Sequence, residues 1–444
     1  MQQVVAERTG VSPHWRDGSP ADAAIEANIA ALLAQELTVD GAVTIALLNN
    51  RSLQATYEDL GVAQAELVQA GLLKNPALLA EVRFPSRPAI PFEIDIAEDF
   101  LDLFFLPLRK RVAGAAFEAA KLRVTNAVLA AAADAKTRFY MLQGAEQLVD
   151  LREQVLRATE AASDAAGKLN EAGNITELEY AHHQVLHEQA KLDLARAEAE
   201  ALDHREELSA LMGLWGERID WRIAPRLADV PREQLSAAGL ETQAIRQRLD
   251  LAAAKQDVIA IGQSLGVARF SAFGPELLVT GHYEREPDGI ATLGPGIELP
   301  LPIFGQGQPA MAAAQARLRQ AHEHFFALAV EIRSRVRRFR NRMMEAQARA
   351  AFVSRVILPL RHRIVEETQL EYNAMQVGVF ALLEAKRAEV DSGREYIETL
   401  RDFWVSRSEL ERELGGKLSS AVAETREPEP TKNQEDHEPG EKHD

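Results

Sequence analysis

Hydrophobic and polar positions change their period three times along the first half of the chain, and each change predicts an element. Residues 1 to 20 carry no periodicity and read as an irregular arm. Ser19 and Pro20 read as the N-cap and first position of a helix reaching about Gln35. Thr38 caps a second predicted helix running to Leu73, with Leu47, Leu48, Leu53, Leu60, Ala63 and Leu67 apolar and Asn75-Pro76 as its end. The period then drops to two. Leu78, Ala80, Val82 and Phe84 alternate with Leu79, Glu81 and Arg83; beyond the stiff PSRPAIP connection, Phe92, Ile94 and Ile96 alternate with Glu93, Asp95 and Ala97. This predicts a hairpin with one apolar side. From Arg109 to Glu171 the helical period returns without a proline, carried by positions such as Val124, Val128, Ala131 and Ala135. About 60 residues at this rise extend roughly 90 Å, so the helix needs long neighbours to cover its apolar stripe. Gly173-Asn174 ends it, Thr176 caps another long helix from Glu177 to Met212, and Gly213 stops that one.

The pattern then repeats at an offset of about 200 residues, too long for a solenoid repeat. NPALLAEV from Asn75 corresponds to GPELLVTG from Gly274, and LPLR at Leu106 to LPIF at Leu301. GNITELE from Gly173 corresponds to GVFALLE from Gly378, and LSALMG from Leu208 to LERELG from Leu410. The predicted organisation is an N-terminal arm and short helix over 1–36, a first repeat over 37–213 with strands near 78–84 and 92–99, and a linker over 214–239. A second repeat follows over 240–417, with strands near 275–284 and 291–300, and a charged tail over 418–444 is expected to be disordered. The fold class is mainly α with a small β part, a duplicated helix, strand, strand, long helix, long helix.

Two hairpins in different halves of a chain leave bare edges and are marginal in water when isolated. Three chains contributing four strands each would close a twelve-stranded β-barrel without edges. Leu78, Ala80, Val82, Phe84, Phe92, Ile94 and Ile96 would then face lipid, and the helices would continue the wall as a trimeric α-helical barrel.

Composition narrows the function. A formal charge of −17 argues against nucleic acid as a partner, and the absence of cysteine excludes disulfides, thiolate chemistry and cysteine-ligated metals. Aromatics are only 6% of the chain, which suits helices packed on small residues. No P-loop or Rossmann fingerprint is present, and HEHFF at His322 lacks the second histidine of a zincin, so neither an enzyme nor a cofactor is expected. Met1 to Pro20 is too polar to read as a secretory signal, so an outer-membrane location rests on the strand pattern.

The chain resembles the TolC-like outer-membrane efflux protein family, near its heavy-metal and multidrug branch. The resemblance covers roughly residues 37 to 417. It is carried by LTVDGAVTIALLNN with RSLQA, GVAQAELVQAGLLKNP, EAGNITELE, LPLPIFGQGQPAMAAAQARL and LEYNAMQVGVFALLEAKR, in this order and duplicated. It implies a homotrimer that spans the outer membrane by its barrel and crosses the periplasm by its helices. It also implies docking to a periplasmic adaptor and, through it, to an inner-membrane pump. The expected function is the passive exit duct of a tripartite efflux system, opened at its periplasmic tip. A duct dedicated to heavy-metal cations and a soluble elongated coiled-coil scaffold are the alternatives.

In such a family the tips meet the adaptor, here Gly173, Asn174, Ile175 and Thr176 with Gly378, Val379 and Phe380. Glycine is also what any helical hairpin needs to turn, but Ile175 and Phe380 put apolar groups where an isolated turn prefers polar ones. Glu179 and Glu384 each lie six positions past their tip glycine and are candidates for an acidic ring at the mouth. By resemblance Glu384 falls at an acidic gate position, whereas Arg387 departs from the family pattern and is read as a partner of Glu384 or of a neighbouring helix. Solvated glutamates on a helix face are the plain alternative. His183 and His187 share a face above the first tip, but with no third ligand nearby no metal site is assigned. Asp402, Trp404 and Glu409 are expected to pack and pair helices, and the arginines from Arg333 to Arg342 to neutralise acidic neighbours.

Overall fold

The structure, a computed structural model, describes residues 1–16, 18–84, 90–231, 239–271, 277–286, 288–299, 303–304 and 306–418. The tail from 421, most of PSRPAIP, and the starts of GPELLVTG and LPIF lie outside the described residues.

The arm is more ordered than its composition predicts: α1 spans Gln2–Thr9 and is closed by Gly10 at φ +82°. Helix α2 spans Pro20–Leu33, and β1, Glu36–Leu37, follows. The predicted helix from Thr38 to Leu73 is two helices, α3 (Val39–Asn49) and α4 (Arg51–Ala70). Thr38 does cap, accepting the Gly41 N–H. The break is at Asn50, whose extended ψ of 118° stops α3 while its side chain accepts the Leu53 N–H and starts α4. Strands β2 (Ala77–Val82) and β3 (Phe92–Asp99) form the first hairpin.

The long helix α5 spans Asp102–Glu171, 70 residues, or about 105 Å. It starts earlier than Arg109 and carries Pro107 inside it at the sixth helical position, where the missing N–H leaves the Leu103 carbonyl without its helical partner. Asp102 is buried at that start and held by Arg109 at 2.6 Å, fixing the junction of strand and helix. Helix α6 (Glu177–Leu211) returns, and β4 (Arg222–Ile223) pairs in parallel with β1.

The second half gives α7 (Leu240–Gln247), α8 (Leu249–Ser271), β5 (Leu278–Arg285), β6 (Ala291–Glu298), α9 (Gln308–Phe352), α10 (Leu358–Asn373) and α11 (Val379–Leu414). Between α9 and α10 one wider π turn, Val353–Ile357, precedes Pro359, whose missing N–H cannot serve a tighter turn.

Helix α5 packs against α3, α4, α6, α8 and α11, while α9 packs against α7, α8 and α11. The two main cores lie toward the C-terminal ends of α6 and α11. One gathers Leu47, Tyr57, Leu142, Leu208, Met212 and Trp221; the other gathers Ile332, Val336, Met343, Phe403, Leu410 and Leu414. The linker joins this region: Trp404 donates to the Ala228 carbonyl at 2.8 Å and stacks on Tyr140 of α5. Arginines of α9 behave in two ways. Arg335 and Arg337 reach Glu413 and Glu241 on other helices, as expected, whereas Arg338 and Arg342 lie over the ring of Phe339. Among the described residues no helix is long and apolar enough to cross a membrane.

Candidate functional surfaces, the sheet and the tip

The two hairpins are not isolated in the chain. Strands β2, β3, β5 and β6 form one antiparallel sheet in that order, joined by β3 pairing with β5 from Phe92 opposite Arg285 to Asp99 opposite Leu278. Sequence reading kept the hairpins apart because pairing between segments so distant leaves no local signal. Cross-strand partners point to the same side, so the register fixes the two faces. Leu78, Ala80 and Val82 stand opposite Ile96, Ile94 and Phe92, and the row continues through Gly281 and Tyr283 to Pro295 and Leu293. The residues predicted to face lipid therefore share one apolar face, with Phe84 just beyond the end of β2. Much of this face is uncovered: Leu78 is 69% exposed, Ile96 52%, Leu293 82% and Ile297 75%. The opposite face is polar, with Glu81, Glu93 and Glu284 in one row and Asp95 and His282 in the next. Within the chain β2 and β6 are edge strands.

At the other end of α5 the two predicted tips come together. Leu169, Ile175, Glu179 and His183 share a cavity with Tyr372 and Val379, and the rings of His182 and Phe380 meet edge to face at 4.4 Å. Gly173, at φ +71°, makes the first turn. Thr176 caps α6 through a complete capping box: its hydroxyl accepts the Glu179 N–H at 3.2 Å, and its own N–H donates to the Glu179 carboxylate at 2.9 Å. The Thr176 N–H, and the Thr176 hydroxyl that also donates to this carboxylate at 3.0 Å, hold the Glu179 carboxyl below the usual carboxylate range, the backbone bond most.

The second tip departs from the predicted repeat. Gly378 is the N-cap of α11 with φ −78°, and the left-handed residue of this turn is Met375 at φ +59°. Gly173 thus corresponds to Met375 and Thr176 to Gly378, an offset of 202 residues, so Glu179 and Glu384 are not repeat equivalents. Gly378 matches Gly173 in residue type but not in backbone position. Glu384 is exposed on α11, and among the described residues it forms no ion pair with Arg387. His183 is half-buried, and burial pushes its imidazole below the usual range; neither it nor His187 joins a group of three ligands among the described residues. Met375, 94% exposed, was missed because only backbone geometry singles it out.

No family model matches the chain, and neither does any curated protein. Solved structures do. The outer membrane channel CmeC of Campylobacter jejuni matches with a TM-score of 0.74 at 15% identity, over 86% of this chain and 86% of that one. CusC, solved in work on folding and transmembrane channel formation, matches with a TM-score of 0.73 at 17% identity, over 85% and 92%. The open-state MtrE outer membrane channel of Neisseria gonorrhoeae gives 0.69 at 18% identity, over 85% and 89%. At such identities the likeness establishes architecture: the chain carries the fold of the TolC-like outer-membrane channels that its sequence resembles.

Proposed function

We propose that three copies of this chain form an outer-membrane channel, the passive exit duct of a tripartite efflux system, with the helical barrel in the periplasm. The observation that carries this is the four-stranded sheet, with one exposed apolar face, one polar face and an edge strand on each side. Its strands alternate in direction, and an even number per chain lets β6 of one copy meet β2 of the next in antiparallel sense. Three copies in head-to-tail contact then close twelve strands with no edge left. The apolar face turns to lipid and the polar face to the lumen. A soluble scaffold gives that apolar face no use.

The exposed tip turns are the surface offered to a periplasmic adaptor, through which an inner-membrane pump supplies the energy. Ile175, Met375 and Phe380 are its apolar contacts. Of the two acidic candidates Glu384 suits the mouth, since Glu179 is engaged in its cap. A duct for metal cations in particular finds support on the polar face of the sheet, where His282 stands among the carboxylates of Glu93, Asp95 and Glu284.

Native mass measurement and planar-bilayer recording of the purified full chain test this reading. A mass three times that of the 48.9 kDa chain with discrete single-channel conductance is expected. A monomer that inserts no channels overturns it.

A further inference from the structure

The polar face of the sheet brings together ligands that are distant in sequence. Asp95 of β3 stands opposite His282 of β5, and Glu93 opposite Glu284. The His282 Nδ1 is 2.7 Å from Asp95 Oδ1 and 3.6 Å from Glu93 Oε1, and its Nε2 is 3.7 Å from Glu284 Oε2. One donor atom each from Glu93, Asp95 and His282 lie within 4.8 Å of one another, on half-buried side chains. This is an imidazole ringed by carboxylates on a rigid pair of strands.

The surrounding charges are out of balance. Glu81, Glu93 and Glu284 lie abreast across three strands, and like charges directly opposite each other destabilise a sheet. Arg83 answers part of this, at 2.9 Å from Glu81, 2.7 Å from Glu93 and 3.9 Å from Glu284. One guanidinium against those three glutamates and Asp95 still leaves a negative surplus around the imidazole. A divalent cation would remove it.

We propose that Glu93, Asp95 and His282, with Glu284 at the rim, form a binding site for a divalent first-row transition cation such as zinc. Bonds of about 2.0–2.1 Å in tetrahedral geometry set donors roughly 3.3–3.4 Å apart. The separations of 2.7 and 3.6 Å found here lie on either side of that value, so small side-chain rotations suffice. Imidazole with carboxylate suits zinc, nickel, cobalt or copper, whereas calcium and magnesium prefer oxygen alone. Arg83 steadies the Glu93 carboxylate from outside. Because β3 comes from the first repeat and β5 from the second, a bound cation also clamps the two halves of the sheet together. Its exposure to the lumen rests on the duct reading; the site itself is complete within one chain.

Calorimetric titration of the purified full chain with zinc, supported by cobalt(II) visible absorption, tests the site. One saturable cation per chain is expected, weakened about tenfold or more in both Asp95→Asn and His282→Ala, with His362→Ala on α10 unchanged. Glu93→Gln serves should either variant fail to assemble. No saturable binding by the unmodified chain, or equal binding by the variants, overturns the site. Native mass on the same samples separates the two proposals: a trimer that binds no cation sinks the site alone, and a monomer that binds zinc sinks the duct alone.

Discussion

Met375 holds in the second half the backbone position that Gly173 holds in the first. Both are left-handed, at φ +59° and +71°, and each closes its helix with the same pair of bonds. The N–H of Gly173 reaches the Asn170 carbonyl and that of Asn174 reaches Leu169; the N–H of Met375 reaches Tyr372 and that of Gln376 reaches Glu371. A left-handed residue with a side chain costs about 1–2 kcal/mol that glycine avoids. An almost fully exposed methionine gains little from packing in return. Met375→Gly is therefore expected to stabilise the chain by up to about 1 kcal/mol, after the extra freedom glycine brings to the unfolded state. Under the proposed function it also weakens capture of an adaptor. Thermal midpoints and adaptor pull-down check both, and lower stability with unchanged capture defeats the explanation.

What was legible in the sequence was whatever repeats locally. The alternation of Leu78 to Phe84 and Phe92 to Ile96 gave the strands and their apolar side, and the proline-free stretch gave α5. The break at Asn50 was hidden because asparagine in a helical pattern looks like one more polar position, yet its side chain both caps α4 and donates to the Leu211 carbonyl at 2.8 Å. The pairing of β3 with β5 was hidden because it depends on how two halves of a chain dock. The ligands Asp95 and His282 were hidden with it: each reads as an ordinary polar strand position until the register sets them opposite each other.

Gly213 and Gly415 end the two return helices, again 202 residues apart, and both have positive φ, +67° and +77°. Each lies against the break between the two helices that open its half, at Asn50 between α3 and α4 and at Arg248 between α7 and α8. A methyl group at Gly213 would stand 2.6 Å from the Asn49 carbonyl oxygen, and one at Gly415 would stand 3.2 Å from that of Gln247. The first contact forces backbone to move and the second only crowds it. Gly213→Ala is expected to cost about 2–4 kcal/mol and Gly415→Ala about 1–2 kcal/mol, seen as unequal losses in the midpoint of thermal unfolding. Equal losses would show that backbone conformation alone, without the contact, sets the cost.

The two tip glutamates differ in what holds them: Glu179 is tied into a cap and Glu384 is exposed on α11. Glu179 closes the capping box with Thr176, so Glu179→Gln weakens the cap and quickens amide exchange in the first turn of α6. Its lowered carboxyl adds stability present above the ordinary value of 4.5 and lost as pH falls through the folded value. Glu384→Gln leaves stability unchanged within about 0.5 kcal/mol. In bilayer recordings it lowers cation selectivity, since it removes three charges from the mouth of the proposed trimer. If Glu179→Gln alters selectivity and Glu384→Gln does not, the assignment of roles is reversed.

Glu409 on α11 offers a test through pH. It lies half-buried beside Thr137 of α5, and burial pushes its carboxyl above the ordinary 4.5; Arg412 opposes the shift, while Asp134 and Glu413 add to it. The folded chain consequently holds this proton more tightly than the unfolded chain does. The stability it contributes is fully present below 4.5 and is lost as pH rises through the raised value. An amide has the shape of the protonated acid and no charge to desolvate, so Glu409→Gln is expected to match the native chain at pH 4. At pH 7 it should exceed it by at most about 1 kcal/mol. Thermal unfolding of both chains at the two pH values decides the point. A glutamine variant less stable at pH 7 would mean that attraction to Arg412 outweighs burial, and that the carboxylate helps to join α5 to α11.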